Sequence, residues 1–120
     1  IRWKFVAESC IYSGCRNENW SVYFGTSHRT FRDRCFLYAV DTKTSSLLWK
    51  FSRGGDIRTP ALSNRLVYAG SKDGNLYAIQ AKTGKLEWQF PTDDEIQAAP
   101  CIGDGVVYIG SWDGNLYAIK

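Results

Sequence analysis

The sequence of 120 residues lacks methionine and has one histidine, three prolines and no long apolar run. A membrane-spanning helix is excluded, because none of its apolar stretches approaches the roughly 18 residues that such a helix needs. A single histidine argues against histidine-dependent acid–base catalysis. The net charge of +3 is too small for the basic footprint of a nucleic-acid-binding protein. Because the chain begins at Ile1 without methionine, we expect it to be a piece of a longer protein.

Apolar and aromatic residues are plentiful, and they recur with a period of about 40 residues. Residues 73–79 and 113–119 both read Asp-Gly-Asn-Leu-Tyr-Ala-Ile. A Trp-x-Phe triplet occurs three times, and each tryptophan is followed by an isoleucine eight residues later and then by a Tyr-x-Gly triplet. Short runs of β-branched and aromatic residues are typical of strands, and Asp-Gly pairs are typical of hairpin turns. Each unit is therefore predicted to hold four short antiparallel strands.

Four short strands in every unit of about 40 residues are typical of a propeller blade. We therefore predict an all-β fold, a partial β-propeller of about three four-stranded antiparallel blades. The expected segments are an outer strand at 1–6, blades at 9–52 and 57–90, and a third blade at 96–120 that another strand completes. In the second unit, the strands are expected near 58–62, 65–71, 75–80 and 85–90.

One segment of the repeat resembles a known motif. Residues 78–88, Ala-Ile-Gln-Ala-Lys-Thr-Gly-Lys-Leu-Glu-Trp, are similar to the tryptophan-docking motif of pyrroloquinoline quinone (PQQ) type propellers, Ala-x-Asp-x-x-Thr-Gly-x-x-x-Trp. Residues 39–49 repeat it with Ser45 at the glycine position, and Gln80 replaces the aspartate in the other copy. In that family the tryptophan packs between blades. The resemblance implies such docking roles for Trp3, Trp49, Trp88, Ala39, Asp41, Thr44, Ala78, Thr83 and Gly84.

The resemblance also bears on function. Enzymes of the family oxidise alcohols or sugars with PQQ and a calcium ion, commonly with a pair of adjacent cysteines over the quinone. The chain has no adjacent cysteines, and oxygen ligands such as Asp73 and Asp113 occupy identical hairpin positions, which favours a turn role. We therefore expect no cofactor or metal in this chain, and PQQ and calcium only in a larger parent. The family resemblance favours a periplasmic or extracellular location.

The leading hypothesis is a non-catalytic propeller scaffold that binds a protein or ligand as a fragment of a larger propeller protein. A part of a PQQ-dependent dehydrogenase and a self-assembling propeller unit are the alternatives. The expected partners are accordingly a protein, the remaining blades of the ring, or further copies of the chain.

The first unit contains an insertion, residues 26–36, where the other units have a tight hairpin. Loops on a rigid scaffold often carry binding groups, and arginine can bind a carboxylate or phosphate through two hydrogen bonds. A solvated loop whose charges have no specific role is the alternative. The candidate binding residues of this loop are His28, Arg29, Phe31, Arg32 and Arg34.

Three of the four cysteines, Cys10, Cys15 and Cys35, lie in the first unit. Separate thiols, a disulfide and a zinc site that includes His28 are all open interpretations. Separate thiols are favoured, because two strand spacings of about 4.8 Å place Cys10 and Cys35 beyond the span of a disulfide. Cys101 is expected to be a small buried core residue.

Overall fold

The computed structural model describes residues 2–11, 13–31, 34–53 and 55–120. These residues form three antiparallel sheets of four, four and three strands. The first sheet contains β1 (Cys15–Glu18), β2 (Ser21–Gly25), β3 (Leu37–Asp41) and β4 (Leu47–Phe51). The second contains β5 (Ala61–Ser63), β6 (Leu66–Gly70), β7 (Asn75–Gln80) and β8 (Leu86–Pro91). The third contains β9 (Cys101–Gly103), β10 (Val106–Gly110) and β11 (Leu116–Ile119). The all-β, propeller-type prediction is confirmed.

The second sheet is packed on both faces, and its sequence pattern explains why. Successive side chains of a strand point to opposite faces. In β7, Tyr77 and Ile79 pack towards the first sheet, whereas Leu76 and Ala78 pack towards the third. This central strand is consequently apolar at every position from Leu76 to Ile79, without the polar alternation of a strand with one face in water.

Two apolar cores result from this stacking. The core between the first and second sheets includes Leu37, Trp49 and Val67. The core between the second and third sheets includes Tyr68 and Val107, with Trp88 packed against it. Each core therefore joins side chains from two successive repeats.

The N-terminal segment differs from its prediction. Residues 2–6 lie in no hydrogen-bonded strand, although an outer strand was expected at 1–6, and the described residues hold eleven strands. Strand pairing requires a neighbouring strand, and none adjoins residues 2–6 in the described structure. The segment nevertheless covers the outer face of the first sheet, where Phe5 and Ala7 pack against Phe24 and Tyr38.

The third sheet has one uncovered face. Tyr108 is 38% exposed and Leu116 is 76% exposed, whereas their counterparts in the second sheet, Tyr68 and Leu76, are 8% and 0% exposed. Cys101 pairs with Tyr108 on this face and is exposed, so its predicted burial was wrong.

The first strand of the second sheet is shorter than expected near 58–62. β5 begins at Ala61, although Ile57 already forms an isolated bridge with Ser71. Pro60 has no amide hydrogen to donate, and the pairing resumes directly after it. Among the described residues, no helix has the length and apolar character needed to span a membrane.

Candidate functional site

Trp49 in β4 contacts the neighbouring sheet through both its ring and its nitrogen. Its Nε1 donates a hydrogen bond to the backbone oxygen of Ala81 at 2.8 Å, and Trp3 donates in the same way to Thr42 at 2.8 Å. A Cβ on Gly84 would lie 2.7 Å from the Trp49 ring, so the glycine leaves the space that the ring fills. These contacts suit a docking role, which stays a prediction.

The other motif residues either lie opposite the tryptophans in the sheet or form the turn before each tryptophan. Ala39 pairs with Trp49 and Ala78 pairs with Trp88 across the sheet, so a small side chain lies opposite each ring. Asp41 accepts hydrogen bonds from the amides of Lys43 and Thr44, and these bonds lower the pKa of its carboxyl. The longer Gln80 instead accepts the Thr83 hydroxyl at 2.8 Å, so the substitution keeps a hydrogen bond inside the turn.

The inserted loop is tied at both ends by backbone hydrogen bonds. Thr26 N donates to Phe36 O at 2.9 Å, and Ser27 N donates to Cys10 O at 2.9 Å. Within the loop, His28 Nδ1 accepts the amides of Thr30 and Phe31 at 3.1 and 2.9 Å. Because Nδ1 is an acceptor, the neutral imidazole carries its hydrogen on Nε2, which remains able to donate.

The loop forms one wall of a cavity of about 380 Å³ between the first and second sheets. The opposite wall comes from the segment that enters β5 and from the turn after β6. The lining residues are Ser27, His28, Arg29, Asp56, Arg58 and Lys72. Backbone hydrogen bonds fix these walls: Ile57 N donates to Thr26 O at 3.2 Å, and Lys72 N donates to Asp56 O at 3.0 Å.

The cavity carries more positive than negative charge. Asp56 is the one carboxylate among the described lining residues, and its Oδ2 lies 3.8 Å from Arg58 Nη2 and 3.9 Å from Lys72 Nζ. Its Oδ1 lies 3.3 Å from the Sγ of the buried Cys35 and 3.4 Å from the His28 amide nitrogen. Asp56 is thus shared among several donors, and both ion pairs are too long for direct hydrogen bonds.

Arg58 carries the clearest indication of a missing acceptor. Its Nε is buried and has no hydrogen-bond partner in the described structure. Buried polar groups are almost always hydrogen-bonded in proteins, and an unpaired one is costly. Arg58 lines the cavity, but this nitrogen is shielded from solvent, so an acceptor reaches it only when the side chain shifts.

The structure brings together only part of the predicted loop site. His28 and Arg29 line the cavity. Phe31 and Arg34 instead form a cation–π pair, with the guanidinium carbon 4.9 Å from the ring centroid. Arg32 lies outside the described residues. The sequence prediction missed Asp56, Arg58 and Lys72, which belong to the second repeat, because only the fold brings that repeat against the loop.

The hairpin carboxylates do not fit a calcium site. Asp73 Oδ1 accepts the amide of Asn75 at 2.9 Å, and its Oδ2 accepts the Tyr77 hydroxyl. Asp113 is bound by Asn115 and Tyr117 in the same way, and the hydroxyl of Tyr117 lowers the pKa of the Asp113 carboxyl. Both carboxylates therefore close turns and accept hydrogen bonds from their own hairpins.

Three of the four cysteines are at the surface, and one is buried. Cys10, Cys15 and Cys101 are exposed free thiols, and Cys35 is buried next to the cavity. Among the described residues, no three His, Cys, Asp or Glu side chains are close enough to hold a metal ion together.

A family model described as outer membrane protein assembly factor BamB matches residues 35–120, more than half of the chain. The chain belongs to this family. The resemblance to PQQ-type propellers is thereby confirmed, and the matched residues of the BamB-type model include both the second and third sheets. No curated protein matches the chain in sequence.

Solved structures share the fold of this BamB-family chain. BamB from Moraxella catarrhalis superposes with a TM-score of 0.80 and 24% identity, over 99% of this chain and 36% of that one. A europium-containing methanol dehydrogenase gives 0.78 and 18%, over 97% and 24%. The quinohemoprotein alcohol dehydrogenase ADHIIG from Pseudomonas putida HK5 gives 0.74 and 25%, over 91% and 18%. The chain thus spans about a third or less of each structure.

Proposed function

We propose that this chain is a non-catalytic β-propeller scaffold, a fragment of a larger propeller protein that binds a protein or ligand. The observation that carries the proposal is a sheet-to-sheet contact that recurs at each step of the stack. A phenylalanine of one Trp-x-Phe triplet packs against a tyrosine of the next sheet. The three pairs, by distance between ring centroids, are Phe5–Tyr38 at 5.5 Å, Phe51–Tyr77 at 5.3 Å and Phe90–Tyr117 at 5.5 Å.

The recurrence supports a stack built to continue at both ends. Residues 2–6 make outer-strand contacts without strand pairing, and the third sheet presents an uncovered apolar face. In the described structure, β11 pairs only with β10, whereas β3 and β7 each pair with an outer strand as well. A scaffold completed by further strands accounts for both features.

A synthetic peptide of residues 84–92, which spans β8, tests this proposal on the 120-residue chain. We expect the peptide to pair with β11 and to slow hydrogen exchange of the β11 amides. A peptide of equal length with its tryptophan and phenylalanine replaced by alanine is the matched control. Equal protection by both peptides, or protection by neither, would contradict the proposed strand completion.

The family match supports a protein partner in particular. The matching family is described as an outer membrane protein assembly factor, which is a role in assembly and not in oxidation. The loops at the cavity end are the surface that this chain offers to such a partner.

Self-assembly is the second candidate function, and the contacts of Phe5 favour it. Residues 2–6 of one copy can complete the third sheet of another. Because propellers generally have four to eight blades, two copies would form a ring of six. Light scattering after size exclusion, over a concentration series, is expected to give a discrete dimer for this candidate. A monomer at every concentration rejects self-assembly and leaves the fragment hypothesis standing.

A further inference from the structure

We propose that the cavity lined by His28, Arg29, Asp56, Arg58 and Lys72 binds an oxyanion, a carboxylate or phosphate group on a small polar molecule. The inference rests on the proposed role as a binding scaffold and names the ligand chemistry of that scaffold. It combines a cavity of about 380 Å³, an excess of cationic side chains and a buried guanidinium donor without an acceptor.

The donors of the cavity converge from three separate segments of the chain. Arg29 comes from the inserted loop, Arg58 from the segment that enters β5 and Lys72 from the turn after β6. The carboxylate of Asp56 offsets one of these three charges, and Glu95 approaches Lys72 from outside at 4.0 Å. The remaining charge is positive, which favours an anionic ligand.

The repeat provides an internal comparison. The equivalent position between the second and third sheets has Glu95 in place of Asp56 and Gln97 in place of Arg58. There Gln97 Nε2 donates to Glu95 Oε1 at 2.6 Å, so the pair satisfies itself, and Trp112 replaces Lys72. Folding of the repeat therefore does not require the basic residues of the first cavity, and a binding role explains why they occur together.

Arginine suits this chemistry better than lysine does. A guanidinium presents its donors in a planar fork that matches the oxygens of a carboxylate or phosphate, and such charge-assisted bonds are strong. Arg58 Nη2 lies 3.8 Å from Asp56 Oδ2, too far for a hydrogen bond, and can therefore donate to a ligand oxygen. The cavity volume lies in the range of small-molecule sites and exceeds what one inorganic anion fills.

Calorimetric titration of the 120-residue chain with sodium phosphate and with sodium succinate, at constant ionic strength, tests the inference. We expect saturable binding of at least one anion and an affinity at least about tenfold weaker in Arg58→Gln. Phosphate as the tighter ligand indicates a phosphoester, and succinate indicates an organic acid. Lys72→Gln is a second variant, and thermal unfolding establishes that each variant is folded.

Arg16→Gln is the matched control, because it removes the same charge from an exposed position on β1, outside the cavity. Equal weakening by Arg16→Gln and Arg58→Gln would reduce the effect to general charge attraction and overturn the inference. Absence of saturation with both anions would also overturn it. If the β8 peptide still binds in that case, the scaffold function stands and only the oxyanion site fails.

Discussion

At the scale of single residues, two glycines set how closely the sheets approach. A Cβ added to Gly25 would lie 2.2 Å from the Ile57 oxygen, and one added to Gly70 would lie 2.2 Å from Ile96 Cγ2. Ile57 and Ile96, which follow the second and third Trp-x-Phe triplets, therefore each rest on the glycine of the preceding repeat. This contact explains why the Tyr-x-Gly triplet and the isoleucine recur together in the sequence.

Gly70→Ala is expected to destabilise the chain by about 1–3 kcal/mol, because an added methyl group overpacks this contact. Gly110→Ala is the matched control at the same repeat position, since a Cβ there meets no atom within 4 Å. Urea unfolding of both variants measures the difference. Equal decreases in the free energy of unfolding for the two variants would contradict this prediction, because the added methyl group at residue 70 would then cause no destabilising clash with Ile96.

Trp49→Ala and Trp88→Ala are each expected to cost roughly 3–5 kcal/mol, as truncations of packed aromatic side chains do. If the unchanged chain is only modestly stable, a loss of this size would be seen as a loss of cooperative unfolding. Trp112→Ala is the control, because Trp112 is 64% exposed. If both variants melt close to the temperature of the unchanged chain, these tryptophans do not have the docking role.

At the scale of elements, periodic features were predictable and the cavity was not. The repeated triplets and Asp-Gly turns report local backbone preferences, and they predicted the hairpins of the second and third sheets well. The outer strand expected at 1–6 is unpaired in the described structure, because strand pairing depends on a neighbour that the segment does not have there. The cavity depends on Asp56, Arg58 and Lys72, whose approach to the loop is decided by sheet stacking and has no local sequence pattern.

The phenol of Tyr77, in the hairpin that β6 and β7 form, is expected to make stability depend on pH in the alkaline range. Burial and the hydrogen bond to Asp73 raise the pKa of the Tyr77 phenol above its ordinary value of about 10. Above about pH 10 the unfolded chain loses this proton while the folded chain retains it, so the free energy of unfolding falls as pH rises. Below that pH the contribution is constant.

Tyr77→Phe is expected to make this alkaline decline shallower, because it removes one phenol with a raised pKa. Burial also raises the pKa values of Tyr23 and Tyr68, so part of the slope should persist. Urea unfolding at a series of pH values from neutral to alkaline measures the slope. An identical slope in the variant would mean that Tyr77 ionises equally easily in the folded and unfolded states.

At the scale of the whole molecule, each sheet is stabilised mainly by its immediate neighbours, as in other repeat proteins. The second sheet has a core on both faces, whereas the third has a core on one. Hydrogen exchange is therefore expected to be slowest in β6 and β7 and faster in β10 and β11. Exchange at one common rate in both sheets would indicate a single cooperative unit.

Residues 2–7, which cover the outer face of the first sheet, are synthesised before that sheet. A chain is synthesised from its N-terminus, and domains generally begin to fold in that order. The aromatic face of Phe24 and Tyr38 is therefore sheltered by residues made before it. The face of Tyr108 and Leu116 is synthesised after the first two sheets and is exposed in the described structure. Of these two faces, the face of Tyr108 and Leu116 is therefore the one more open to contact with a wrong neighbour.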